Sequence, residues 1–133
     1  MRVMLDTNIL ISVFIFKSPV LDRVVEIASK PGNRLVLSTF VIDEARAVVA
    51  RKWPDRAVDL EIYLALLDHD TVVTPNMPDP GLFEIRDPND YPVLYSALLD
   101  GSDVLVTGDK DFEGVDAGSV GVMAPAAFVE RYS

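Results

Sequence analysis

A chain of 133 residues, half of them hydrophobic and a quarter charged, holds enough apolar material for one buried core and too much for a disordered chain. Lys and Arg number 12 against 21 Asp and Glu, a net charge of −9, which excludes an all-over basic nucleic-acid binder but not a local basic patch. No cysteine and one histidine, His69, exclude disulfides, thiol catalysis, thiolate metal sites and multi-histidine metal sites.

The apolar run Arg2 to Leu5 predicts a buried strand that ends at Asp6, with Thr7 and Asn8 as turn or cap residues. A mostly helical stretch from Ile9 to about Lys30 follows, interrupted near Ser18-Pro19 and stopped by Pro31-Gly32-Asn33. Leu35-Val36-Leu37 marks a second strand within Arg34 to Ser38. Thr39 opens a helix with Val41, Ala45, Val48 and Val49 on one face, ended by Trp53-Pro54. Asp55 opens another to about Leu67, and Thr71-Val72-Val73-Thr74 is a third strand. Beyond a Pro-rich loop from Thr74 to Gly81, Asp90-Tyr91-Pro92 opens a helix that Gly101 closes near Asp100. Asp103 to Thr107 is a fourth strand, Gly108 to Gly114 a loop or short helical turn, Ser119 to Met123 a weak fifth strand, and Pro125 to Tyr132 a last helix.

Strands written as continuous apolar runs and alternating with helices predict a mainly parallel sheet of four to five strands, covered on both faces. The expected fold is a three-layer α/β/α sandwich formed by residues 1–133 as a single domain. No run is long and apolar enough to span a bilayer, and Asp6 comes too early for a signal peptide, so a soluble cytoplasmic protein is expected.

In such a fold, ligands bind outside the carboxyl ends of the strands. Asp6 ends strand one. Glu44 lies one turn or so into the helix after strand two. Asp90 opens the helix that feeds strand four, and Asp109 comes two residues after Thr107. Four carboxylates from distant parts of the chain are thereby brought to one rim. Each has an ordinary explanation by itself, as a cap, a helix-surface glutamate or a polar turn; their common edge is the informative fact. Like charges at close range repel, and a divalent cation resolves the conflict. Oxygen donors without Cys or His select a hard ion, Mg²⁺ or Mn²⁺, of the kind that serves phosphodiester hydrolysis.

Four blocks of sequence carry a family resemblance. They are Val3-Met4-Leu5-Asp6-Thr7-Asn8, Leu37-Ser38-Thr39-Phe40-Val41-Ile42-Asp43-Glu44, Arg86-Asp87-Pro88-Asn89-Asp90 and Leu105-Val106-Thr107-Gly108-Asp109-Lys110-Asp111-Phe112. In order and spacing the chain resembles the PIN-domain ribonucleases, the fold of VapC-type toxins of prokaryotic toxin–antitoxin pairs. The last two blocks look most like the subgroup with a Thr-Gly-Asp-Lys-Asp element.

The resemblance implies that Asp6, Glu44, Asp90 and Asp109 are the acidic metal-binding positions of a ribonuclease that uses Mg²⁺ or Mn²⁺. Asp6, Asp90 and Asp109 would hold the principal ion, and Glu44 would complete the site. Thr7, Asn8, Ser38 and Thr107 would orient carboxylates or water. Asp87 competes with Asp90, which is preferred because it opens the helix; Asp111 competes with Asp109, which is nearer the strand end. The implied partners are RNA, a second copy of the chain in a homodimer, and a small antitoxin that blocks the acidic rim.

Phosphates call for cations, and Arg46, Arg51, Lys52 and Arg56 cluster around the end of the Glu44 helix, with Lys110 inside the Asp109 loop. Solvated surface charge is the competing account of all five. Trp53 and Tyr63 fit a core or dimer face better than a base-stacking platform. Phe14, Ile15 and Phe16 are either core or a surface covered by a partner. His69 precedes strand three, on the opposite edge, and receives no catalytic role. Two other functions compete. One is an inactive PIN-like module that binds RNA or protein. The other is an aspartate-dependent phosphatase or phosphotransferase, disfavoured because Asp6-Thr7-Asn8 lacks a second acid and Val73-Thr74-Pro75 lacks a phosphoacceptor.

Overall fold

The computed structural model describes residues 1–16, 18–75, 91–112 and 117–133, with the backbone alone for Asp111. Asp87, Asp90, most of the Pro-rich loop and Lys17 lie outside the described residues. Five strands, β1 (Arg2–Leu5), β2 (Arg34–Ser38), β3 (Asp70–Val72), β4 (Val104–Val106) and β5 (Gly121–Met123), form one sheet in the order β3-β2-β1-β4-β5. Every neighbouring pair is parallel. The described helices are α1 (Thr7–Ile15), α2 (Pro19–Ala28), α3 (Thr39–Lys52), α4 (Ala57–Leu66), α5 (Tyr91–Asp100) and α6 (Pro125–Tyr132). They flank the sheet as the expected three-layer sandwich; α3 packs with α1, α4 and α5, and α2 packs with α6. None of the described helices is long and apolar enough to cross a membrane.

The strands that carry unbroken apolar runs are the buried ones. Val3, Met4, Leu5, Leu35, Val36, Leu37, Val104, Leu105 and Val106 all lie in the core, as both faces of a covered parallel sheet require. The long N-terminal helical stretch is two helices. Phe16 turns extended, and Ser18 stays extended because Pro19 excludes the helical region for its predecessor and then serves as the first helical residue of α2. Gly101, at φ 73°, closes α5 in a conformation costly for a side chain with a Cβ.

β3 sits one register earlier than Thr71 to Thr74. Its first residue, Asp70, pairs with Val36 in the ladder. The Asp70 carboxylate receives Arg2 Nη1 at 2.8 Å and Arg34 Nη2 at 2.7 Å. Arg2 and Arg34 are themselves neighbours across β1 and β2, so one anion sits between two cations that would otherwise repel. Arg2 also grips Asp100 through Nε at 3.1 Å and Nη2 at 2.8 Å. The amino-terminal edge of the sheet is thereby tied across β1, β2, β3 and the end of α5.

Candidate metal centre at the carboxyl edge

The strand order reverses between β1 and β4, whose neighbours lead away in opposite directions. Such a switch point leaves a crevice at the carboxyl ends of the strands. Asp6 stands there in two roles. Its N–H donates to Val106 O at 3.0 Å, which continues the ladder, and its carbonyl accepts the first helical bond, from Leu10 N at 3.1 Å. As the N-cap of α1 it has extended backbone and its Oδ1 accepts from Thr7 N at 2.7 Å. The ladder and the helix fix the backbone on either side, so the carboxylate has little freedom.

Thr107 completes the hold. Its hydroxyl donates to Asp6 Oδ2 at 2.8 Å and accepts from Asp109 N at 3.1 Å. Its own N–H donates to Met123 O at 2.9 Å, so β4 and β5 fix its position. The chain Asp109 N–H, Thr107 hydroxyl, Asp6 carboxylate thus joins two of the predicted acids through one side chain.

Asp6 is only 4% exposed. Burial pushes its carboxyl above the usual carboxylate range; the hydrogen bonds from Thr107 and Thr7 oppose this, and the charges of Asp109 and Glu44 add to the rise. Both of those acids therefore act electrostatically on Asp6. Neither Asp6 nor Glu44 has a cationic partner among the described residues. Glu44 is half-buried on α3 and Asp109 half-buried beyond β4. Among the described residues no three acidic or imidazole side chains stand close enough to enclose an ion. The fourth predicted acid, Asp90, falls outside them, although Tyr91, which follows it, is buried at the start of α5. A buried carboxylate in the field of two other acids, with oxygen donors only, fits a hard divalent cation. The Thr7 hydroxyl is buried without a hydrogen-bond partner among the described residues, an acceptor left over on the same turn.

The other predicted groups fall as follows. Ser38 Oγ accepts from Val41 N at 3.2 Å and caps α3, which carries Glu44; among the described residues it has no bond to a carboxylate. Asn8 is exposed. His69 is on the opposite edge, where its Nδ1 donates to Leu67 O at 2.7 Å. Of the basic cluster, Arg46 is committed to Glu61 at 2.8 Å and Asp43 at 3.5 Å, and Arg56 to Asp59 at 3.1 Å. Arg51 is exposed with no ion pair among the described residues, and Lys52 lies 6.0 Å from the Trp53 ring centroid. Phe14, Ile15, Trp53 and Tyr63 pack partly buried against the core, while Phe16 is exposed.

A second set of hydroxyls was not anticipated. Ser96 Oγ donates to Pro92 O at 2.8 Å, so its partner Thr74 Oγ1, also at 2.8 Å, must donate to it. Thr74 Oγ1 accepts in turn from Phe40 N at 3.3 Å, and Thr74 N donates to Thr39 Oγ1 at 3.0 Å. This relay fastens the first turn of α3 to the first half of α5, the two helices that begin next to Ser38 and Asp90. The signal for it is Ser96, a hydroxyl within the apolar run of α5.

A comparison with protein families matches the PIN domain to residues 2–111. The chain belongs to the PIN domain family. A search of curated proteins finds no match. Among solved structures, it is similar to a chain in the crystal structure of VapBC2 from Rickettsia felis bound to a DNA fragment from their promoter. The TM-score is 0.70 at 20% identity, over 92% of this chain and 98% of that one. The likeness is one of fold.

Proposed function

We propose that residues 1–133 form a single nuclease domain, a metal-dependent endoribonuclease that hydrolyses RNA phosphodiester bonds in the cytoplasm as the toxin of a type II toxin–antitoxin system. Family membership and the likeness to a VapBC2 chain support the class. The observation that carries the reading is the buried Asp6 carboxylate, which feels the charges of Asp109 and Glu44 and has no cation of the protein beside it among the described residues. A structural acid at that depth is paired with a base or replaced by a neutral residue. In this reading Asp6, Glu44, Asp90 and Asp109 hold Mg²⁺ or Mn²⁺, which when bound polarises the phosphate and activates water.

The protein's own part is positional. Thr107 and Thr7 N–H fix both oxygens of Asp6, so the carboxylate meets the ion without reorganising. Ser38 fixes the start of the helix that presents Glu44. Arg51 and Lys52, farther along that helix, and Lys110 in the Asp109 loop are the candidate cations for a flanking phosphate in this reading. The partners in this reading are RNA, a small cognate antitoxin and a second copy of the chain.

The test is cleavage of a mixed RNA pool by the purified chain with Mg²⁺, with Mn²⁺ and with a chelator. Metal-dependent cleavage that disappears in a folded Asp6→Asn variant is expected. Cleavage that survives Asp6→Asn overturns the site, and no cleavage with either ion overturns the activity. A binding module without catalysis is the second reading, favoured by the fact that the described acids do not by themselves enclose an ion. Calorimetric titration separates the two, because the module takes up neither ion.

A further inference from the structure

α1 and α3 both begin at the carboxyl edge, capped by Asp6 and Ser38, and pack against each other. Acids stand at one end of this seam, where Asp6 feels the charge of Glu44. At the other end both helices finish in aromatic residues. Phe16 is the C-cap of α1 and Trp53 the C-cap of α3, with ring centroids 5.9 Å apart and planes at 82°. Trp53 is partly buried against the core, whereas Phe16 is 54% exposed. A phenyl ring half in solvent and braced at right angles by an indole offers flat apolar surface at little cost in freedom.

Cations gather at the same end. Arg51 and Lys52 lie in the last turn of α3, both exposed and neither in an ion pair among the described residues. Lys52 Nζ stands 6.0 Å from the centroid of the Trp53 ring. The neighbouring arginines differ, since Arg46 is taken by Glu61 and Arg56 by Asp59. In a chain of net charge −9, two cations left without carboxylates beside an exposed aromatic ring complement a partner that is anionic and carries flat apolar groups. Between the two ends, α1 places Asn8, Ser12 and Phe16 four residues apart, and α3 places Glu44, Val48 and Arg51 along one face. Arg51 lies about 20° from the Glu44 direction and about 10 Å farther along the axis.

We infer that Phe16 is a base-stacking platform for single-stranded RNA whose phosphates Arg51 and Lys52 hold, the strand running along the α1 and α3 seam toward the acidic edge. Asn8 to Phe16 spans about 12 Å, three or four nucleotides at about 3.4 Å each in a stacked strand. Stacking on one ring demands an unpaired base and tolerates any base, because each has a π-face. The direction of the strand rests on the proposed nuclease site. The platform rests only on the rings and the cations, so its test needs neither metal nor cleavage.

The chain has one tryptophan, and it is in ring contact with Phe16, so Trp53 fluorescence reports on the platform. A labelled single-stranded RNA of about ten nucleotides is titrated into the whole chain in chelator at low salt, with binding followed by Trp53 quenching and by anisotropy of the label. Quenching is expected with this RNA and not with an abasic oligomer of the same length. Phe16→Ala, with an unchanged circular dichroism spectrum, should weaken RNA binding about 10-fold or more and leave binding of the abasic oligomer unchanged. Phe16→Trp should restore the anisotropy titration. Arg51→Ala and Lys52→Ala should each make the slope of log K against log salt shallower by about 0.7. RNA and abasic oligomer bound alike, or Phe16→Ala binding RNA as tightly as wild type, overturns the inference and leaves this corner to an acidic protein segment. So does a wild type that takes up no RNA at low salt. RNA uptake that depends on Phe16 in a chain that cleaves nothing with either ion would keep the platform and remove the nuclease; metal-dependent cleavage with RNA binding indifferent to Phe16 would do the reverse.

Discussion

Replacing Thr107 by valine keeps the volume and removes one hydroxyl. Two hydrogen bonds go with it: the 2.8 Å bond donated to the Asp6 carboxylate and the 3.1 Å bond accepted from Asp109 N. The first is made to an ionised, buried acceptor, and its loss costs about 1.5–3 kcal/mol. The second frees a backbone N–H beside half-buried Asp109, which water can reach, so about 0.5 kcal/mol is the appropriate addition. Thr107→Val should therefore be less stable by about 2–3.5 kcal/mol near neutral pH.

The pH dependence distinguishes this cause from a packing defect. Burial raises the Asp6 carboxyl, and the Thr107 bond is the largest effect opposing that rise. Without the hydroxyl the folded-state pKa climbs further. A raised carboxylate is a cost to the fold that is absent below the unfolded pKa and complete above the folded one. The gap between wild type and Thr107→Val should then be widest where Asp6 is ionised in both proteins. It should shrink as pH falls through the two raised folded-state values. Urea denaturation of both proteins at a series of pH values measures it. A gap under about 0.5 kcal/mol at neutral pH, or one that does not change on acidification, refutes the reasoning.

Asp6→Asn should abolish the thermal stabilisation that a divalent ion confers. An ion at 100 times its dissociation constant adds about 2.7 kcal/mol to wild type, so equal shifts of Tm in the two proteins, measured by scanning calorimetry with and without Mn²⁺, would remove the metal from Asp6. Asp70 is held at about 2 by hydrogen bonds from Arg34 and Arg2; it stabilises the fold above the ordinary carboxylate range, and that contribution is lost as pH falls toward about 2. Asp70→Asn should accordingly be less stable than wild type at neutral pH and converge with it in acid, as urea midpoints will show. Ser38→Ala removes the cap of α3 and should cost about 1 kcal/mol, measurable by the same unfolding curve.

The elements that were legible are those in which local pattern and tertiary environment agree. β1, β2 and the last helix, Pro125–Tyr132, fall where the sequence reading puts them, because apolar runs, a leading proline and a terminal turn each point the same way. Asp6 was legible for the same reason: an acid closing an apolar strand and preceding a helix is a cap at the sheet's carboxyl edge wherever the strand is parallel. The start of β3 was not, because Asp70 joins the strand only when Arg2 and Arg34 arrive from β1 and β2 to neutralise it. Ser38 has a structural duty that its place in the sequence does not by itself announce. It adjoins the acidic edge, and its hydroxyl oxygen caps the helix that carries Glu44. Arg46 is a second such case: its partner Glu61 lies on a separate helix, and only the packing of α4 on α3 removes that cation from the basic cluster.

The same strands have opposite electrostatics at their two ends, and the contrast bears on function. At the amino-terminal edge, Asp70 and Asp100 meet Arg2, and Asp70 also meets Arg34; each anion is matched, and Asp70 is held low for that reason. At the carboxyl edge, Asp6 is deeper, its carboxyl is pushed up, and the charged groups that act on it are acids. Matching Asp6 with an arginine in the same way would relieve the cost at once. Two arginines stand at one end of β1 and β2 and, among the described residues, none beside Asp6 at the other; in the proposed reading a divalent cation takes that place. Asp6→Asn should for this reason lose metal binding without losing the fold, whereas Arg2→Met should lose stability without losing metal binding. Unfolding curves and calorimetric titrations on the two variants would show either this separation or, if both variants lost both properties, that the two edges do not divide the work.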